Sequence, residues 1–252
     1  MTLGYGLIEP DESIELVINQ WSIKVTVSKN GTVEYVRRTN RKMNTEIISG
    51  ERRARIVGLD KLILQPIYPV LIPKRLTTYI LVKYNDVVMI APGGRLEYYI
   101  LMPVDIAILS VRNQSYSLID VFNVGKVKYT LYGSVESGVI ARYAESKIYF
   151  SEEDALDDLN IGLALVKIRA SNKSREWVTL TKILLEANPL KLYYEENTWR
   201  AYSRLININI NSPRTATVTY SSSPKPGLME VIDPPELKVP FMAQKTSMLW
   251  GL

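Results

Sequence analysis

Hydrophobic and polar residues alternate with a period of two along most of this chain. The clearest instance is Ile23-Lys24-Val25-Thr26-Val27, then Asn30-Gly31, then Val33-Glu34-Tyr35-Val36. Period two sends successive side chains to opposite faces of a strand. An Asn-Gly pair between two such runs marks a tight hairpin, because both turn residues must accept positive φ. The same pattern predicts strands over 55–64, 77–84, 87–90 and 95–109, then over 117–123, 126–132, 139–149, 161–170 and 177–185. Runs at 190–194, 199–210 and 216–220 complete the set. Strands at this spacing, punctuated by Asn, Gly, Pro and Ser, point to sandwiches or barrels rather than to alternating strand–helix units.

Helical periodicity is nearly absent. Ser151 followed by Glu152-Glu153-Asp154-Ala155-Leu156-Asp157-Asp158-Leu159 predicts a turn or two of capped helix, with acids where a helix N-terminus favours them. A second short helix has room within 42–53. Pro66, Pro69 and Pro73 bracket an apolar extended stretch, 67–72, expected outside the middle of any sheet because proline donates no ladder hydrogen bond. Residues 221–227, Ser-Ser-Ser-Pro-Lys-Pro-Gly, read as an exposed loop. Beyond them Asp233-Pro234-Pro235 and Pro240 predict an extended tail, whose apolar end at Met248-Leu249-Trp250-Gly251-Leu252 docks on its own domain or on another subunit. Arg112-Asn113-Gln114-Ser115 interrupts two apolar runs, so a division is expected there, into residues 1–112 and 113–252. Each part would hold about seven strands, the complement of a sandwich. The expected fold is all-β: two β-sandwich-like domains, a short helix or two in the connections, and an extended C-terminal tail.

Composition narrows the chemistry. The chain of 252 residues is 46% hydrophobic, enough for a proper core, and contains no cysteine and no histidine. Disulfides, thiolate nucleophiles, imidazole bases and Cys/His zinc sites are therefore excluded, and with them the commonest hydrolase triads. Nothing implies a cofactor. Glutamine is scarce while charge is plentiful, a profile that leans towards thermophiles. Residues 1–12 carry neither a basic start nor an apolar core, and the most apolar run, 96–111, contains Glu97, Pro103 and Asp105. A cytoplasmic protein without a membrane span is expected.

Charge is unevenly placed. Arg37, Arg38, Arg41, Lys42, Arg52, Arg53 and Arg55 fall within nineteen residues that hold only Glu46 and Glu51. That excess of +5 equals the formal charge of the whole chain, so everything outside the segment sums to zero. Seven cations in a loop flanking a hairpin could neutralise several phosphates of a nucleic acid, and the arginine fork suits them. Equally, they could be a solvated loop or be paired with acids from elsewhere in the fold.

Other constellations are weaker. Glu195 and Glu196 follow Tyr193-Tyr194 at a hairpin tip with Trp199 close by. Paired carboxylates beside aromatics are what a carbohydrate-processing site requires, but an ordinary turn with a cross-strand aromatic pair needs the same residues. The acids of 152–158 could hold a hard cation, yet lack the spacing of a calcium loop and suit a capped surface helix better. Sixteen tyrosines against three phenylalanines make Tyr the bulky aromatic of the core. Glycine pairs at 4–6 and 93–94 match no phosphate loop.

One stretch carries a resemblance: Lys128-Tyr129-Thr130-Leu131-Tyr132-Gly133, then Glu136-Ser137-Gly138-Val139-Ile140-Ala141-Arg142-Tyr143, preceded by Asp120-Val121-Phe122 and closed by Trp250-Gly251-Leu252. It resembles an archaeal protein family catalogued only as a domain of unknown function. The resemblance implies no activity. The motif is apolar and aromatic, with Arg142 and Glu136 as its charged members, which suits a buried structural element or a seam. The resulting expectation is a non-catalytic binding or scaffolding protein, associating with a protein partner or with itself. Nucleic-acid contact through 37–55 is the alternative, and a carboxylate-based carbohydrate-active protein stands further behind.

Overall fold

A computed structural model describes residues 4–8, 13–18, 21–30, 32–43, 46–58, 61–69, 76–212, 215–221, 225–233 and 246–249. In chain order the first strands are β1 (Gly6–Ile8), β2 (Ser13–Ile18), β3 (Trp21–Val27), β4 (Val33–Met43), β5 (Glu46–Ile56), β6 (Lys61–Ile67) and β7 (Tyr79–Ile90). There follow β8 (Arg95–Pro103), β9 (Asp105–Arg112), β10 (Ser115–Asn123), β11 (Lys128–Tyr132), β12 (Val139–Ser146) and the helix α1 (Glu152–Asp158). The remainder are β13 (Leu163–Asn172), β14 (Val178–Glu186), β15 (Leu192–Tyr194), β16 (Ala201–Ser203), β17 (Ile206–Ser212), β18 (Thr215–Tyr220), β19 (Met229–Glu230) and β20 (Thr246–Leu249). Strands make up 64% of the structure against one α-helix among the described residues, so the fold is all-β. A 3₁₀ turn at Asn188–Leu190 is the second short helical piece.

Four sheets result. A meander runs β2-β3-β4-β5, a small antiparallel sheet β1-β6-β9-β10, and a mixed sheet β11-β12-β7-β14. The large sheet runs β19-β15-β16-β13-β17-β18-β20, with β8 on the other edge of β13. Alternation explains the faces. In β17 the three isoleucines Ile206, Ile208 and Ile210 are buried while the asparagines between them face outward. In β9 apolar residues run without alternation, because both faces of the strand are buried from Asp105 to Ser110. One buried cluster draws on all four sheets, with Ile23 and Tyr35 from the meander, Ile106 from the small sheet, Ile80 and Ile183 from the mixed sheet and Val166 from the large one. A second, small cluster lies on the far side of the large sheet, where Ala155 of α1 packs with Tyr99, Leu101, Leu165, Tyr193 and Tyr202.

Several sequence expectations are corrected by the pairing. The short helix within 42–53 is instead β4 and β5, which pair continuously from Val33↔Ile56 to Met43↔Glu46; once each strand supplies the other's ladder, backbone groups need no helix. The basic residues accordingly sit on paired strands, not in a loop. The run 95–109 divides at Val104, where the chain leaves the large sheet for the small one and the Val104 amide donates to the Gly162 carbonyl. Pro66 lies inside β6, opposite Ile106 of β9, at a point where β1, which pairs only with Leu62–Leu64, has already ended. Part of the stretch 67–72 lies outside the described residues, as does Pro73.

Ser151 caps α1 by accepting from the Glu153 amide, as the sequence predicts. The hairpin at Asn30 forms, with Asn30 Oδ1 accepting from the Thr32 amide, while Gly31 lies outside the described residues. The division expected after residue 112 falls in the turn Asn113–Gln114, both at positive φ, and backbone ladders cross it at β9–β10, β7–β12 and β8–β13. Near the C-terminus β20 pairs with the chain's own β18, while residues 234–245 and 250–252 lie outside the described part.

Asn172 joins the mixed and large sheets where β7 turns into β8. It is 1% exposed; its Nδ2 lies 2.9, 3.1 and 2.8 Å from the carbonyls of Ile90, Ala91 and Glu176, and its Oδ1 accepts from the amide and hydroxyl of Ser174. Asn172→Asp keeps the shape but turns the donor into an acceptor facing carbonyls. Both Asn172→Asp and Asn172→Ala are expected to lose about 2–4 kcal/mol in urea unfolding, because several buried groups lose a partner at once. Equal stability of wild type and both variants would show that the hub contributes nothing.

Candidate functional site

The basic residues divide by face. Register sets Arg37 directly opposite Arg52, and both reach inward to Asp120 on β10. Arg37 donates through Nε at 2.6 Å and Nη2 at 3.3 Å, Arg52 through Nη1 at 2.9 Å, and Arg52 Nη2 also reaches the Ile119 carbonyl at 2.8 Å. The Tyr35 hydroxyl donates to the same carboxylate. Burial, and then the negative charge of Asp120, push the Tyr35 phenol well above its ordinary range. The Arg37 guanidinium also stacks over Trp21, 4.5 Å from its centroid, and Trp21 Nε1 donates to the Asn123 carbonyl. On the outer face Glu51 pairs with both Arg38 and Arg53, and Glu34 pairs with Arg55. Arg41 and Lys42 continue β4, with side chains outside the described part of the structure. Of the seven predicted cations, five are thus engaged by three carboxylates, two of them outside the charge run that stands out in the sequence.

The other sequence candidates are placed as follows. Glu195 and Glu196 stand at the tip of the β15–β16 hairpin, where Asn197 has φ of 59° and Glu195 Oε2 lies 3.6 Å from Arg200. Neither glutamate lines any cavity described below. Among the acids of α1, Asp158 pairs with Lys147 and Glu152 with Lys225, so these partners come from nearby strands and loops and not from the basic hairpin. Arg142 is 3% exposed and reaches Asp105 at 3.1 and 3.4 Å and the Pro69 carbonyl at 3.1 Å, a buried pair joining β12 to β9. Glu136 is exposed in the turn after β11. No described helix is long and apolar enough to cross a membrane.

Two surfaces that no sequence motif marks emerge around β7, β8 and β13. The first is apolar. β12 leaves β7 after the Ser146↔Tyr84 pair, so Val88–Ile90 pair with β14 on one side and with no described strand on the other. Beside this open edge a cavity of about 390 Å³ is lined by Val87, Met89, Gly94, Leu96 and Phe150, among others. Val87, Met89 and Phe150 are 61 to 68% exposed, uncommon for apolar side chains gathered together.

The second surface is cationic. The face of the large sheet that points away from the main core carries Arg95 and Glu97 of β8, Lys167 and Arg169 of β13, and Asn207 and Asn209 of β17. Two adjoining cavities of about 210 and 630 Å³ share Arg169. Glu97 takes both Lys167 and Arg169 at 2.5 Å, and these two cations hold its carboxyl below the usual range. Lys167 lies 5.4 Å from the Tyr99 ring and Lys225 lies 5.6 Å from Tyr202. The side chains of Arg95 and Lys173 are exposed and pair with no described acid. These cations are scattered from residue 95 to residue 225, so no charge run reveals them. The only local signal is the alternation Lys167-Ile168-Arg169-Ala170-Ser171, which puts polar groups on one face of a strand whose other face is core.

The architecture defines an all-β protein held together by buried Asp–Arg contacts between sheets. The family model described as a protein of unknown function (DUF432) matches residues 4–249, and the chain belongs to that family. No curated protein and no solved structure matches it.

Proposed function

We propose that the chain is a non-catalytic binding protein that docks a protein partner at the open edge of β7. The observation that carries this reading is the coincidence of an unpaired strand edge, Val88–Ile90, with the exposed side chains of Val87, Met89 and Phe150. An extended segment laid along that edge would satisfy its backbone groups and cover apolar surface in the adjoining cavity. Open hydrophobic edges are otherwise a hazard that proteins cover or charge. The buried carboxylates support a structural division of labour, since Asp105 and Asp120 are both committed to arginines between sheets.

The test compares tagged wild type with a Met89→Lys/Phe150→Lys variant, purified from source cells with nuclease present and read by quantitative mass spectrometry. Both side chains are exposed, so the variant is expected to fold. One defined protein recovered with wild type, and depleted about tenfold or more with the variant, is the expected result, since buried lysines at an interface core are poorly tolerated. The same proteins recovered with both would overturn the assignment of this edge.

A further inference from the structure

We propose that the outer face of the large sheet binds the phosphodiester backbone of a single-stranded nucleic acid. The two adjoining cavities on this face are lined by five cations, Arg95, Lys167, Arg169, Lys173 and Lys225, against two carboxylates, Glu97 and Glu152. Glu97 is shared by two cations, Glu152 takes Lys225, and Arg95 and Lys173 meet no described acid, so positive charge remains in excess on this face. Lys167 and Arg169 stand at alternate positions of one straight strand, about 6–7 Å apart, of the order of the distance between successive phosphates in an extended chain. Ser171, Asn207 and Asn209 lie alongside as neutral donors to phosphate and sugar oxygens.

The face favours a polyanion over an acidic peptide. β13 is central, paired with β8 on one side and with β16 and β17 on the other, so no main-chain edge is open to a peptide strand there. What it offers is a row of side-chain charge that follows β13 through Lys167, Arg169 and Lys173, with Arg95 of β8 and Lys225 beside it. A single row of cations suits one backbone better than the two of a duplex. Tyr99 and Tyr202 lie buried beneath their lysines and are not free to stack on bases. Binding therefore follows phosphate charge, with steep salt dependence and little base preference.

The experiment is a fluorescence-anisotropy titration of a labelled, mixed-sequence single-stranded oligonucleotide across a salt series. Wild type is compared with Arg95→Ala/Lys173→Ala and with Arg38→Ala/Arg53→Ala on the basic hairpin. The sheet variant is expected to bind about tenfold or more weakly, with a log–log salt slope shallower by about 1.4, the value for two lost phosphate contacts on a single strand. The hairpin variant is expected to stay within about twofold of wild type, because its arginines are already paired to Glu51. Three results overturn the proposal: no binding by wild type at low salt, undiminished binding by the sheet variant, or displacement of the oligonucleotide by poly-glutamate at equal charge. A duplex binding as tightly per phosphate overturns the single-strand assignment.

Discussion

Asp120→Ala is expected to lower the unfolding free energy by about 3–5 kcal/mol, the loss typical of breaking a buried charge cluster by removing one side. Asp120 is 1% exposed and receives Tyr35, Arg37 and Arg52 at once. It sits on β10 of the small sheet, and all three donors sit on the meander, so the carboxylate clamps one sheet to the other. Without it two guanidinium groups face each other across the β4–β5 ladder with no counter-charge, and the Tyr35 hydroxyl is left buried without its acceptor. The Asp120→Asn variant keeps the volume and some hydrogen bonding, so an intermediate loss is expected. Urea unfolding measures both, and hydrogen exchange across β3–β5 should accelerate before that of β13. Losses below about 1 kcal/mol for both variants would show that the cluster is not the clamp, since exposed pairs contribute only that much. The same geometry explains why Arg37 and Arg52 are poor positions for testing ligand binding: removing them perturbs the fold first.

The pair Asp105–Arg142 carries the second large effect, and its sign depends on pH. Burial outweighs the attraction of the Arg142 guanidinium, so Asp105 is pushed up to about 7 from its ordinary value of 3.8. Between those two values the folded chain holds a proton that the unfolded chain has released. Stability contributed by Asp105 is therefore fully present below about pH 4, falls as pH rises to about 7, and is flat above. A rise of that size corresponds to a loss of up to about 4 kcal/mol over the window. The Asp105→Asn variant, neutral throughout, lacks this slope and is expected to match or exceed wild type at about pH 8. Replacing the other partner does the opposite. Arg142→Met leaves Asp105 buried without its cation, and a loss of about 3–5 kcal/mol is expected at about pH 8, shrinking at about pH 5 where the carboxyl is neutral. Urea unfolding of the three proteins across this range reads out all of it, and parallel pH curves for wild type and Asp105→Asn would refute the assignment.

Both clamps hold the small sheet, Asp120 against the meander and Asp105 against the mixed sheet. That arrangement was partly legible in the sequence. The resemblance motif singled out Asp120 and Arg142, and its reading as a buried element or seam matches where Arg142 lies. Asp105 gave no signal of its own, because it stands inside an apolar run as the first residue of β9. A buried acid in such a run is recognisable only once the arginine that faces it is known, and that arginine comes from another sheet.

The charge run shows the converse. Seven cations within nineteen residues look like a single patch when read along the chain. A strand sends alternate residues to opposite faces, so Arg37 and Arg52 turn inward to Asp120 while Arg38, Arg53 and Arg55 turn outward to Glu51 and Glu34. A one-dimensional sum of charge cannot register that division. It also cannot register the face of β8, β13 and β17, where sequence-distant cations gather over a cavity.

By itself the sequence determined the all-β class, most strands, the capped helix at Ser151 and the exclusion of cysteine and histidine chemistry. These follow from alternation, turn residues and composition, which are local properties. Only the tertiary structure decided which strands share a sheet, that β8 and β9 part company at Val104, which acids neutralise which arginines, and where uncancelled charge and uncovered apolar surface remain. Those depend on contacts between residues far apart in the chain, and no local pattern encodes the partner.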